Sequence, residues 1–173
     1  GCNTVSFEPS LNNLEILGKN INLNKVSDKI LIAPIALTKT TGSEFLFCSS
    51  HLEGSAHSSF GYDIDQKGSK LNSILKYKTL GFSGDEFIKF FSLANPHYLK
   101  IDVDGIEELI LEGSINLLKK VREILIEVNT DNSKQFSIIQ NILTKNHFYL
   151  YKDYYKQELK QGNQIWKKYE QNN

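Results

Sequence analysis

A chain of 173 residues, 40% hydrophobic and 23% charged, has the composition of one globular domain and enough length to bury a core without cross-links. Its 20 basic residues balance its 20 acidic ones, and a net charge of zero lacks the broad positive field of a general nucleic-acid binder. No apolar run reaches the length of a bilayer-spanning helix, so no membrane partner is expected. Two cysteines, Cys2 and Cys48, are too few for a disulfide framework and read as free thiols of a reducing, cytoplasmic compartment. With no methionine anywhere, the chain reads as a processed product or a segment of something longer.

Thr4-Val5-Ser6-Phe7 is a short β-prone run halted by Glu8-Pro9-Ser10, because proline donates nothing to a ladder. Ser10 is placed to N-cap a helix whose apolar residues Leu11, Leu14, Leu17 and Ile21 recur at near-helical spacing. Lys29 to Leu37 (KILIAPIAL) is a continuous apolar run, as expected of a strand covered on both faces. From about residue 38 to 80 the runs shorten and Gly, Ser, His and Thr become frequent. SEFLFCS and SILKYKTL alternate, so this stretch reads as a hairpin excursion from the main sheet. A short helix is expected at Asp85 to Leu93, a buried strand at Tyr98 to Val103 and a helix at Ile106 to Leu118. A strand at Glu123 to Val128 and a helix at Ser133 to Asn146 follow, then closing strands near Tyr149 to Tyr151 and Gln164 to Lys168. Strands alternating with helices at this spacing predict one α/β domain over residues 1–173 with a mostly parallel sheet and helices on both faces.

Open α/β sheets bind ligands beyond the carboxyl ends of their strands. Glu8 and Pro9 follow the first strand, Ala36 and Leu37 end the second, and Asp102, Asp104 and Glu107 follow the strand near Ile101. Glu127 and Asn129 close EILIEV. A carboxylate at an early strand end suits the two vicinal hydroxyls of a ribose, and an apolar end suits an adenine face. Glu8 is equally readable as a solvated residue opening a turn. Asp104 and Glu107 admit two readings as well, a helix cap with an acidic first turn, or chemistry. Asp102 emerges from a buried strand at the ligand end, where a base or a cation ligand belongs. His51, His57, His97 and His147 lie apart without metal-ligand spacing and read as surface residues, and no metal site is assigned. The aromatic tail, Phe148, Tyr149, Tyr151, Tyr154, Tyr155, Trp166 and Tyr169, reads as packing for a sheet edge.

TVSFEPSLNNLEILGKNINLN resembles the second strand and following helix of the FkbM-type S-adenosylmethionine-dependent methyltransferases. ILIAPIALTKTTGSEFLF is similar to that family's third strand and hairpin, and PHYLKIDVDGIEELILEGS to its most characteristic stretch; ILIEVN and GNQIWKK continue the likeness. The resemblance implies a Rossmann-like class I methyltransferase fold and O-methylation of a hydroxyl on a sugar, glycan or secondary metabolite. It implies S-adenosylmethionine as cofactor, with Glu8, Pro9, Ser10, Ala36 and Leu37 around its adenosine. Asp102, with Asp104 and Glu107, would face the transfer centre. The family's first strand and glycine-rich turn have no counterpart here, so the domain reads as N-terminally incomplete, with a slot between the strands at Thr4–Phe7 and Tyr98–Ile101. Two other readings compete. Asp102-x-Asp104 is also similar to the acidic pair of a metal-dependent glycosyltransferase, and the chain is also readable as a non-catalytic remnant serving as an interaction segment.

Overall fold

The computed structural model describes residues 2–52, 54, 58–154, 156 and 160–169. Strand β1 (Thr4–Phe7) leads into α1 (Leu11–Leu23) and returns as β2 (Ile30–Ala33), which pairs with β1 in parallel, Thr4 opposite Ile30 and Phe7 opposite Ala33. KILIAPIAL is not one strand. Pro34 brings no N–H to the ladder, and the run breaks into β2 and the two-residue β3 (Ala36–Leu37), which belongs to a different sheet.

The excursion forms that second sheet. Strands β4 (Gly42–Cys48), β5 (Ser58–Phe60) and β6 (Leu75–Phe82) join β3 in the order β3-β6-β4-β5, with β4 antiparallel to both β5 and β6. Alternation along SEFLFCS and LKYKTL buries Leu46 and Cys48 while leaving Lys76 and Lys78 in water, as a one-sided sheet requires. Helix α2 (Gly84–Phe90) follows, its N-cap Ser83 accepting from the Glu86 N–H.

The third sheet holds most of the core. Strand β7 (Tyr98–Ile101) precedes α3 (Glu107–Glu112) and α4 (Ile115–Leu118), and β8 (Glu123–Asn129) pairs with β7 in parallel. Helix α5 (Ser133–Lys145) packs on β8 and on β9 (Phe148–Asp153). Finally β10 (Gln161–Lys168) inserts antiparallel between β8 and β9, giving the order β7-β8-β10-β9. Ile124, Ile126, Val128, Leu143, Phe148 and Trp166 are all buried in one cluster here. The helix expected from Ile106 to Leu118 is broken at Gly113-Ser114, where the backbone meets the Thr38–Lys39 segment. A Cβ on Gly113 would stand 2.2 Å from the Thr38 carbonyl oxygen.

Two expectations about the sheet are corrected. The fold is α/β, but its pairing is mixed, because β10 and the β4 hairpins run antiparallel to their neighbours. The four strands expected in one sheet fall into two parallel pairs, β1–β2 and β7–β8, in separate sheets. Among the described residues no strand bonds to the second edge of β1 or of β7, so nothing joins the pairs. The face coverage expected of KILIAPIAL is also incomplete, since Leu31 is 49% exposed.

Candidate functional site

At the β1 end, the Glu8 N–H donates to the Ala33 carbonyl at 3.1 Å, tying the residue to the end of β2. Its carboxylate accepts from the Ser10 N–H at 2.8 Å and from Asn13 Nδ2 at 3.5 Å. Glu8 therefore organises the Phe7-Glu8-Pro9 turn and the start of α1, and Ser10, although at the N-cap position, makes no side-chain cap. Burial raises the Glu8 pKa, opposed by the Ser10 and Asn13 bonds. A carboxylate has about four lone-pair positions, so two bonds leave acceptor capacity for a pair of hydroxyls. Tyr77 of β6 secures the same turn from the other sheet. Its hydroxyl accepts from the Leu11 N–H at 3.0 Å and donates to the Pro9 carbonyl at 3.2 Å. Ala36 and Leu37, expected at an open strand end, are instead paired with Gly81 and Phe82 of β6, and Ala36 is buried with Leu46 and Phe60.

At the ends of β7 and β8 the acidic residues separate by environment. Asp102 is exposed and pairs with Lys100. Asp104 does not cap a helix. Its carboxylate accepts from the Ser58 N–H at 3.2 Å and from Gln66 Nε2 at 2.8 Å, and the N-cap of α3 is Ile106. Gln66 Nε2 also donates to Glu127 Oε2 at 3.0 Å, so one amide bridges a carboxylate of the loop after β7 and one on β8. The loop carrying it is brought close by Gly105, at φ +93°, where a Cβ would stand 2.7 Å from the Asp65 carbonyl oxygen. Glu107 is only 4% exposed and accepts from Gln135 Nε2 at 2.9 Å. Burial pushes its pKa up to about 8. Burial also raises Glu127, reinforced by the charges of Asp102 and Asp104. Gln66, Glu107, Glu127, Val128, Asn129 and Gln135 enclose a cavity of about 10 Å³, room for roughly one water.

Asp102, Asp104 and Glu107 are expected together from their spacing in the sequence. The structure assembles Asp104, Glu107 and Glu127 around Gln66 and Gln135, with Asp102 at the solvent side. Gln66 and Tyr77 were not anticipated. Gln66 sits in a polar loop with no spacing signal, and Tyr77 occupies an ordinary inward position of an alternating strand. His51, His97 and His147 are exposed, as expected, and His57 and Tyr155 lie outside the described residues. Cys2 and Cys48 are free thiols.

Two parallel strand pairs, with Glu8 beyond β1 and Asp102 and Asp104 beyond β7, make this an α/β domain whose candidate site lies at strand ends. The fold matches the crystal structure of methyltransferase FkbM from Methylobacillus flagellatus KT with a TM-score of 0.62 at 13% identity, over 95% of this chain and 36% of that one. The family model of the methyltransferase FkbM domain matches residues 1–153, and the chain belongs to that family. No curated protein matches the sequence. The chain thus spans about a third of the solved relative. Among the described residues no helix is long and apolar enough to cross a membrane.

Proposed function

We propose that this domain supplies the adenosine side and the acceptor side of an S-adenosylmethionine-dependent O-methyltransferase acting on a hydroxyl of a sugar, glycan or secondary metabolite. The observation that carries the reading is the β1–β2 pair, with Glu8 fixed at its carboxyl end with unused acceptor capacity, in a chain of the FkbM family. Glu8 holds the ribose hydroxyls of the cofactor, and the Pro9-Ser10 turn borders the adenosine. When bound, the cofactor supplies a methyl group already activated by its sulfonium. The protein's own work is then to orient an oxygen and receive its proton. Asp102, exposed beside Lys100, is the group assigned to that proton; Asp104 and Glu107 line the acceptor side.

The free edges of β1 and β7 support a further element of the reading. One additional strand with a glycine-rich turn, from outside this segment, joins the two parallel pairs and holds the methionine end of the cofactor. Open edges pair readily with other chains, so the isolated segment is expected to be marginal in stability. The glycosyltransferase reading receives less support, because Asp102 and Asp104 engage different partners, Lys100 on one side and Ser58 with Gln66 on the other. The test is methyl transfer from labelled S-adenosylmethionine to a panel of glycan hydroxyls by the extended chain. Transfer supports the reading, and turnover of a nucleotide sugar in its place overturns it.

A further inference from the structure

The bridge made by Gln66 is an unusual use of a neutral group. Its amide nitrogen places two hydrogens between the carboxylates of Asp104 and Glu127, at 2.8 and 3.0 Å, and brings no charge to offset theirs. The charge of Asp102 also acts on Glu127. Lys100, paired with Asp102 at the solvent side, offsets part of that charge at Glu127. A second observation lies at the inner end of the same site. Asn129 is 6% exposed, and its Oδ1 accepts from the Asp131 N–H at 2.9 Å, which fixes the orientation of its amide. Its Nδ2 is then a buried donor with no partner among the described residues. Asn129 lines the cavity shared with Gln66, Glu107 and Glu127. Buried donors are nearly always satisfied, so the cavity is complementary to an oxygen atom beside the carboxylate pair.

We infer that the ends of β7 and β8 form an acceptor subsite for a primary ammonium with an adjacent hydroxyl, the pattern of an amino sugar or amino alcohol. The Gln66 amide stands in for the ammonium while the site is free. The ammonium takes the position of Gln66 Nε2, donating to Asp104 and Glu127 with a compensating positive charge, which strengthens each bond over its neutral counterpart. The neighbouring hydroxyl oxygen enters the cavity, accepts from Asn129 Nδ2 and donates to Glu127. Gln66 must rotate away first, and as a side chain on a loop tip closed by Asp65, whose Oδ1 accepts from Lys67 N–H and Ser69 N–H, it can do so without unfolding the loop. The inference deepens the methyltransferase reading by naming an acceptor class and rests on that reading: the hydroxyl held by Asn129 and Glu127 anchors the acceptor, and a different hydroxyl is presented to Asp102.

Binding is measured without methyl donor, by following the side-chain amide resonances of Gln66 and Asn129 during titration with glucosamine and, separately, with glucose. The two sugars differ in one group, ammonium against hydroxyl. Glucosamine is expected to shift both amide signals and to bind about ten-fold more tightly than glucose. Glu127→Gln should erase that preference, and Gln66→Ala should tighten glucosamine binding because no amide then has to be displaced. Equal affinity for the two sugars, or amide signals unmoved by either because the cavity holds water alone, overturns the subsite. Selective glucosamine binding by an extended chain that transfers no methyl group from S-adenosylmethionine would instead overturn the enzymatic reading and leave the subsite standing.

Discussion

Glu8 holds the FEP turn through the Ser10 N–H and Asn13, and it carries the proposed ribose contact with its remaining lone pairs. Glu8→Ala is expected to weaken S-adenosylmethionine binding in the complete enzyme by about 1–3 kcal/mol, the scale of hydrogen bonds to a charged group, read by calorimetry. Asp102→Asn keeps the shape beside Lys100 and removes the charge. It should depress turnover far more than cofactor affinity, and unchanged turnover would remove Asp102 as the proton acceptor. Glu107 makes a different prediction. Its pKa lies near its ordinary 4.5 in the unfolded chain and is pushed up to about 8 in the fold by burial. The folded state therefore binds the extra proton between those values. The contribution of Glu107 to stability is complete below pH 4.5, declines as pH rises towards 8, and levels off above. Glu107→Gln, neutral throughout, should flatten that part of the stability–pH curve measured by denaturant titration.

At the scale of elements, Tyr77 and Gly113 stand among the contacts that join the excursion to the rest. Tyr77 reaches from β6 to the turn before α1, and Tyr77→Phe should cost about 1–2 kcal/mol through the loss of its two hydrogen bonds, seen as a lower melting temperature. Gly113 lets the end of α3 lie against Thr38, and Gly113→Ala forces a methyl into a backbone carbonyl. It should destabilise by about 1–3 kcal/mol, the usual cost of overpacking. Neither contact was legible in the sequence. Periodicity located β4, β6, β8, α1 and α5 to within a few residues, because each is long enough for its pattern to repeat. KILIAPIAL misled because an apolar run does not say which partner each half will find, and only Pro34 marked the break. The helix from Ile106 to Leu118 misled for a related reason: Gly113 is tolerable inside a helix, and the close approach that ends α3 is tertiary.

For the whole molecule, the order of elements was readable and their joining was not. Alternating strands and helices gave the α/β class, whereas the division into β1–β2 and β7–β8 depends on a partner for their open edges. The candidate site shares this limit. Carboxylates at strand ends are visible as a pattern, so Glu8, Asp102, Asp104 and Glu107 could be named. The bridge from Gln66 crosses from a loop 38 residues away in sequence from Asp104 and left no local trace. On the proposed function, the domain holds one half of a cofactor site whose other half comes with an additional strand. Calorimetry with S-adenosylmethionine, on the 173-residue chain and on a chain extended upstream through that strand and its glycine-rich turn, tests it most directly. Micromolar binding is expected of the extended chain and no measurable heat of the shorter one; micromolar affinity in the 173-residue chain would rule out a divided cofactor site.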